Sequence, residues 1–191
     1  MKNFSEYSDE QLVELALEDE AAFAELVNRY EVRLRRYVGR ISSFPDEEME
    51  EILQDVFMAV WKNLRGFDTR IKFSSWIYRI AHNQTISLFR KFKTRGRDTE
   101  AELTPELFLP TSDSFSANLD SKIDAGLIQA ALLEIPKKYR EVLILRFFED
   151  LSYDEIADVL RCPVGTVSTL VARARKKFRV VVEELNISFS K

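Results

Sequence analysis

Apolar residues recur every three or four positions along most of the chain, the spacing of helices with one buried face. Leu12, Leu15 and Ala16 begin one stripe. Phe23, Leu26, Val27, Tyr30, Leu34, Tyr37, Val38 and Ile41 continue on a second, longer helix, which Ser43-Phe44-Pro45-Asp46 breaks. Ile52, Val56, Val60 and Leu64 mark a third that ends at Gly66, and a short basic loop runs from Asp68 to Lys72. Phe73, Ile77, Ile80, Ala81 and Leu88 mark a fourth, with Trp76 read as core.

From about Thr94 to Asp120 the periodicity stops. Leu103-Thr-Pro-Glu-Leu-Phe-Leu-Pro-Thr-Ser-Asp-Ser-Phe-Ser has the prolines, serines and acids of a linker. More than about twenty structureless residues inside one compact fold would be unusual, so the pattern predicts two domains. Helical spacing resumes at Ile123, with Leu127, Ile128, Ala131 and Leu132 leading to Ile135-Pro136. Tyr139, Val142, Leu143, Leu145 and Phe147 form the next helix, and two short helices with a tight turn follow. The predicted fold is all-α: two small helical domains, 1–93 and 122–191, joined by a flexible linker, 94–121.

Composition narrows the function. The chain has 191 residues, 46% hydrophobic and 31% charged, which is globular rather than disordered. Five glycines and five prolines disfavour a loop-rich or β-rich fold. No apolar run approaches the roughly 20 residues of a membrane span, and no cleavable leader pattern is present; the expectation is a cytoplasmic protein without direct membrane insertion. A single cysteine, Cys162, excludes an intrachain disulfide and reads as a small half-buried residue in a turn. A single histidine, His82, reads as a surface residue and leaves little material for a metal site or a nucleophilic triad. No enzyme, cofactor or metal is expected.

The net charge of −4 conceals a segregation. Residues 9–25 and 46–55 carry acids and no bases, whereas 90–97 and 173–179 carry bases and no acids. A chain so divided suits a basic protein surface and a nucleic acid together.

The most specific motif lies in residues 151–179. Ser152 followed by Glu155 is a capping box opening a helix with Ile156, Ala157 and Leu160 inward. Pro163 suits the first turn of the next helix, whose buried stripe is Val167, Val171, Ala174 and Phe178. Its other face presents Ser168, Thr169, Ala172, Arg173, Arg175 and Lys176, then Arg179. This is a helix-turn-helix whose second helix fits a major groove, polar residues near base edges and basic residues near phosphates.

The block Ile135-Pro136 through Ile156-Ala157, continuing into Gly165-Thr166-Val167 and Arg173-Ala174-Arg175, closely resembles the C-terminal domain of sigma-70 family factors. Ser8-Asp9-Glu10-Gln11-Leu12-Val13, Ala22-Phe23, Glu51-Ile-Leu-Gln-Asp-Val-Phe57, Trp61 and Ser75-Trp-Ile-Tyr-Arg-Ile-Ala-His-Asn83 resemble the family's N-terminal domain. Length and domain order resemble the extracytoplasmic-function (ECF) group, which keeps only these two domains. The resemblance implies a promoter-specificity subunit of bacterial RNA polymerase. Region 2 would lie in 1–93 and region 4 in 122–191, the latter reading the minus-thirty-five element.

The resemblance also implies residue roles. Gln54, Asp55 and Trp61 match the segment that grips the beta-prime coiled coil of core polymerase. Phe67, Arg70, Lys72, Phe73, Arg79, Asn83 and Ser87 match the part that captures flipped-out bases and phosphates at the minus-ten element. Ser168, Thr169, Ala172, Arg173, Arg175 and Lys176 match the upstream reader. Further implied partners are the polymerase beta flap, promoter DNA and an anti-sigma factor. One departure stands out: Ser168 and Leu170 occupy positions where the family usually has bases, removing two phosphate or guanine contacts. Two other readings stay open on sequence: a helix-turn-helix regulator outside the polymerase, and a degenerate relative that sequesters core polymerase or an inhibitor.

Overall fold

The computed structural model describes residues 3–42, 44–94 and 122–185, apart from the side chains of 93 and 122–125. The predicted linker, Thr94 aside, therefore lies outside the described residues, as do Arg95 and Arg97 of the first basic cluster. Eight α-helices and one 3₁₀ turn make up the secondary structure of the described residues, with no strand among them. The N-terminal group comprises α1 (Asp9–Ala16), α2 (Glu20–Ile41), α3 (Asp46–Asn63), a 3₁₀ turn (Leu64–Gly66) and α4 (Phe73–Thr94). The C-terminal group comprises α5 (Lys122–Glu134), α6 (Lys137–Phe147), α7 (Tyr153–Leu160) and α8 (Val164–Glu184).

At 22 residues, about 33 Å by the helical rise, α2 is the spine of the first group, with α1, α3 and α4 packed on it. Its apolar positions fall on one face, so Leu26, Tyr30, Leu34, Tyr37, Val38 and Ile41 are all buried. Eight-residue α1 is too short to persist alone in water. A capping box secures it: the Gln11 amide donates to Ser8 Oγ (3.2 Å) and the Ser8 amide donates to Gln11 Oε1 (2.8 Å). Its Leu12, Val13 and Ala16 are buried, and full burial of a leucine or valine stabilises by about 1.5–3 kcal/mol. Arg29 on α2 ties down the segment before it, donating to Asp9 Oδ1 (2.9 Å) and to the carbonyls of Tyr7 (2.9 Å) and Phe4 (2.8 Å).

In the second group α8 packs against α5, α6 and α7. The expected short second helix is in fact 21 residues long, because apolar positions continue past Phe178 to Val182, which is buried against Ala131 of α5. Pro163 is the residue before that helix rather than in its first turn, with extended backbone (φ −60°, ψ 145°) and a carbonyl that accepts from the Thr166 and Val167 amides. On α7 the deepest side chains are Ile156 and Val159, while Ala157 and Leu160 are half-buried.

The two groups touch. Helix α7 lies on α4, and α6 lies on α2. His82 is half-buried rather than a surface residue: its Nδ1 is 3.0 Å from the Tyr37 hydroxyl. Burial, helped by nearby Lys137, pushes its imidazole down to about 4, so it is neutral at ordinary pH.

Candidate nucleic-acid and polymerase interfaces

The helix-turn-helix is built by local hydrogen bonds. The Glu155 amide donates to Ser152 Oγ (3.3 Å), and Glu155 Oε2 accepts from the Ser152 amide (2.8 Å), closing the predicted capping box. Arg161 ends α7 in the left-handed region (φ 51°), and the Cys162 amide donates to the Ala157 carbonyl (3.1 Å), turning the chain sharply into α8. Cys162 is half-buried in this turn. Val167, Val171 and Ala174 are buried, which leaves Ser168, Thr169, Ala172, Arg173, Arg175 and Lys176 exposed. The Thr169 hydroxyl donates to the Gly165 carbonyl (3.0 Å).

The basic residues of α8 do not all face one way. Arg175 and Arg179 border an apolar groove between α5, α6 and α8, lined by Leu132, Leu143, Phe147, Phe178 and Val182. Lys177 lies over the Tyr139 ring (5.6 Å). Arg173 and Lys176 form no ion pair among the described residues and share the outward face with Thr169 and Ala172. Leu170 is half-buried against the core.

In the N-terminal group Arg79, Asn83 and Ser87 follow one another at four-residue spacing on α4, Arg79 half-exposed and the other two exposed. Arg90 and Lys91 are exposed further along. The loop before α4 carries an ion pair of its own and a bond to α1. Arg70 is 88% exposed, its guanidinium clasping Asp68 at 2.7 Å, which holds that carboxyl down to about 2. The Phe73 amide donates to Glu10 Oε1 (3.1 Å), so a carboxylate from α1 secures the start of α4, a contact that a separation of 63 positions hides from any local motif. Lys72 Nζ is 3.4 Å from Glu155 Oε1 of the other group.

Two expected members of this surface sit elsewhere. Phe73 is fully buried and Phe67 nearly so. Their rings pack edge-on to one another (5.8 Å) and against Trp76 (5.7 and 5.0 Å), with Tyr30 behind (5.4 Å). Neither offers a free face to a base in this arrangement; aromatic type alone does not distinguish a stacking surface from core. Trp76 is core, as expected.

On α3, Gln54 is exposed, Asp55 half-buried and Trp61 45% exposed, its ring edge against Phe23 (4.8 Å). Met58 is 50% exposed between them. Gln54, Met58 and Trp61, at four- and three-residue steps, form one outward stripe. Met58 was legible by spacing but not by chemistry, since methionine ordinarily fills cores. Among the described residues no group of His, Cys, Asp and Glu is placed to hold a metal ion, and no helix is long and apolar enough to cross a membrane.

A profile of Sigma-70 region 2 matches residues 26–95, and one of Sigma-70 region 4 matches residues 125–178. The ECF RNA polymerase sigma factor SigW of Bacillus subtilis is 33% identical over 178 residues, 87% of this chain and 92% of that protein. The chain belongs to the sigma-70 family. Within the family it is also similar to the RNA polymerase sigma-H factor of Pseudomonas aeruginosa, 30% identical over 93% of this chain and 95% of that one. The ECF sigma-E factor of Escherichia coli is 29% identical over 93% and 96%. Among solved structures, CnrH in complex with the cytosolic domain of CnrY superposes with a TM-score of 0.69 at 24% identity, covering 92% of this chain and 97% of that one. The sigma factor RpoE of Bartonella quintana, in complex with the anti-sigma factor NepR, gives 0.68 at 24% identity over 84% and 96%. These last two likenesses concern the fold. The region 2 match contains the α3 stripe and the Arg79–Asn83–Ser87 row, and the region 4 match contains the helix-turn-helix.

Proposed function

We propose that this ECF-type sigma factor brings core RNA polymerase to its promoters by a division of labour among three surfaces. The α3 stripe of Gln54, Met58 and Trp61, with Asp55 beside it and acids before it, meets the beta-prime coiled coil. The row Arg79, Asn83 and Ser87 on α4, with Arg70 and Lys72, engages the minus-ten element during strand opening. Thr169, Ala172, Arg173 and Lys176 of α8, flanked by Ser168 and Arg175, read the minus-thirty-five duplex. The groove beside α8 suits an apolar element of the beta flap. The observation that carries this reading is the outward, acid-free face of α8, joined in one chain to an exposed polar row on α4.

Strand opening on this scheme forms no covalent bond and uses no cofactor. On this reading the factor works in the cytoplasm, and an anti-sigma factor is its regulatory partner, as NepR is for the Bartonella protein. A helix-turn-helix regulator outside the polymerase would have no use for the α3 stripe. Reconstitution tests the proposal: purified chain added to core polymerase should produce transcripts with defined starts from its promoters. Promoter binding with no initiation by any reconstituted holoenzyme would overturn it.

A further inference from the structure

The outward surface of α8 changes character along its length. Residues 164–172 carry no charge and no side-chain amide; the hydroxyls of Thr166, Ser168 and Thr169 are their only polar side-chain groups, and Arg173 is the first cation of the helix. Thr169 and Ala172 are exposed and neighbour one another, one turn apart, on the side away from buried Val167, Val171 and Ala174. The Thr169 hydroxyl has spent its one proton on the Gly165 carbonyl (3.0 Å). It can still offer a ligand an acceptor oxygen and a methyl. Ala172 offers a methyl alone. Leu170 packs half-buried against the core instead.

The start of such a helix is the part that meets base edges, and each base pairs with a different side chain there. Guanine takes arginine or lysine on O6 and N7, adenine takes asparagine or glutamine, and cytosine takes a carboxylate. Residues 164–172 hold none of these types. Thymine is set apart by its C5-methyl group, which an alanine or threonine methyl complements by apolar contact. A hydroxyl that is no longer a donor cannot serve guanine O6 and N7 or thymine O4. A side chain as short as alanine also requires the helix itself to sit deep, and a cylinder about 10–12 Å across fits a groove about 12 Å wide. Arg173 and Lys176, exposed and one turn further on, have the length to reach phosphates at the rim.

We propose that Thr169 and Ala172 set sequence preference in the minus-thirty-five duplex by packing their methyl groups against thymine C5-methyls, with the cations behind them supplying affinity rather than base choice. This rests on the promoter-reading function proposed above and names the base feature that its upstream surface reads. One buried methyl is worth about fourfold in affinity, so each contact discriminates modestly. Uracil keeps every hydrogen-bonding atom of thymine and lacks only the methyl, so its introduction removes the contact and nothing else.

The test uses holoenzyme reconstituted from the full chain and core polymerase. A pool of promoter duplexes randomised across the minus-thirty-five segment is selected for binding. Each thymine of the enriched duplex, on either strand, is then replaced in turn by deoxyuridine. With the unaltered chain, uracil at one or two positions should weaken binding about fourfold. Thr169→Ser, which keeps the hydroxyl and loses the methyl, and Ala172→Gly should each erase that penalty at one position. Thr169→Val, which keeps a methyl and loses the hydroxyl, should retain it. If Ala172→Gly loses helical circular dichroism, the two Thr169 variants decide alone. Uracil tolerated at every position overturns the proposal and leaves promoter reading standing, as does a penalty that Thr169→Ser leaves unchanged or that Thr169→Val removes. A pool with no enriched sequence overturns both.

Discussion

Asn83 and Arg173 are both exposed, yet the chemistry expected of them differs, and the difference is measurable. Asn83 presents an amide on the outward row of α4. Asn83→Ala should cost about 1–3 kcal/mol, the range for a specific base contact, in promoter opening read by permanganate footprinting, with upstream duplex binding nearly unchanged. Normal opening by the variant would remove Asn83 from the reading surface. Arg173 presents a cation with no ion-pair partner among the described residues. Arg173→Ala should weaken upstream binding and reduce the slope of log affinity against log salt by about 1; an unchanged slope would mean that no phosphate is lost. Legibility at this scale was uneven. Exposure of the α8 residues followed from periodicity, because Val167, Val171 and Ala174 fix which side is inward. Phe67 and Phe73 could not be placed the same way, since an aromatic ring serves a core and a base stack equally well. Arg175 is exposed as expected, and it also borders the apolar groove.

Elements were easier to read than their ends. Helix stripes, the break at Pro45 and the turn between α7 and α8 all came from local chemistry: apolar spacing, a missing amide, a capping box. The length of α8 did not, because a basic cluster at 173–179 looks like an ending until Val182 is seen packing on α5. The α7 cap gives a direct test of how much such local signals contribute. Ser152→Ala removes the acceptor for the Glu155 amide and should lower stability by about 1 kcal/mol, seen as a lower denaturant midpoint with unchanged slope. No change in midpoint would mean that packing of Ile156 and Val159 alone holds the helix.

For the whole molecule the contact between domains was invisible in sequence, since Arg40 and Glu149 are 109 positions apart and no motif pairs them. Two acids, Glu141 and Glu149, are buried on that side of the second group. Glu141 of α6 is buried near Tyr37 of α2, with Oε1 lacking a hydrogen-bond partner and Lys137 no closer than 4.0 Å. Burial pushes its carboxyl up to about 7, against the pull of Lys137 and Arg140; burial also raises Glu149, despite Tyr78 and Arg40. An acid raised in the folded state holds its proton more tightly there than in the unfolded chain. Its contribution is therefore complete below about 4.5, the ordinary value, and is lost as pH rises through about 7. Glu141→Gln fixes the neutral form, so it should stabilise the chain by about 1–3 kcal/mol at pH 8 and barely change it at pH 5. Equal effects in melting experiments at both pH values would contradict that assignment.

Glu155 carries the most consequence for its size. Its two oxygens serve different masters: Oε2 holds the Ser152 amide that starts α7, and Oε1 holds Ser74 and Lys72 across the interface. Release of the second set leaves the first intact. A chain that loses Ser74 and Lys72 by substitution to alanine therefore keeps the hydrogen bond that starts α7. Amide exchange in α7 should keep the same pace in that variant as in the unaltered chain.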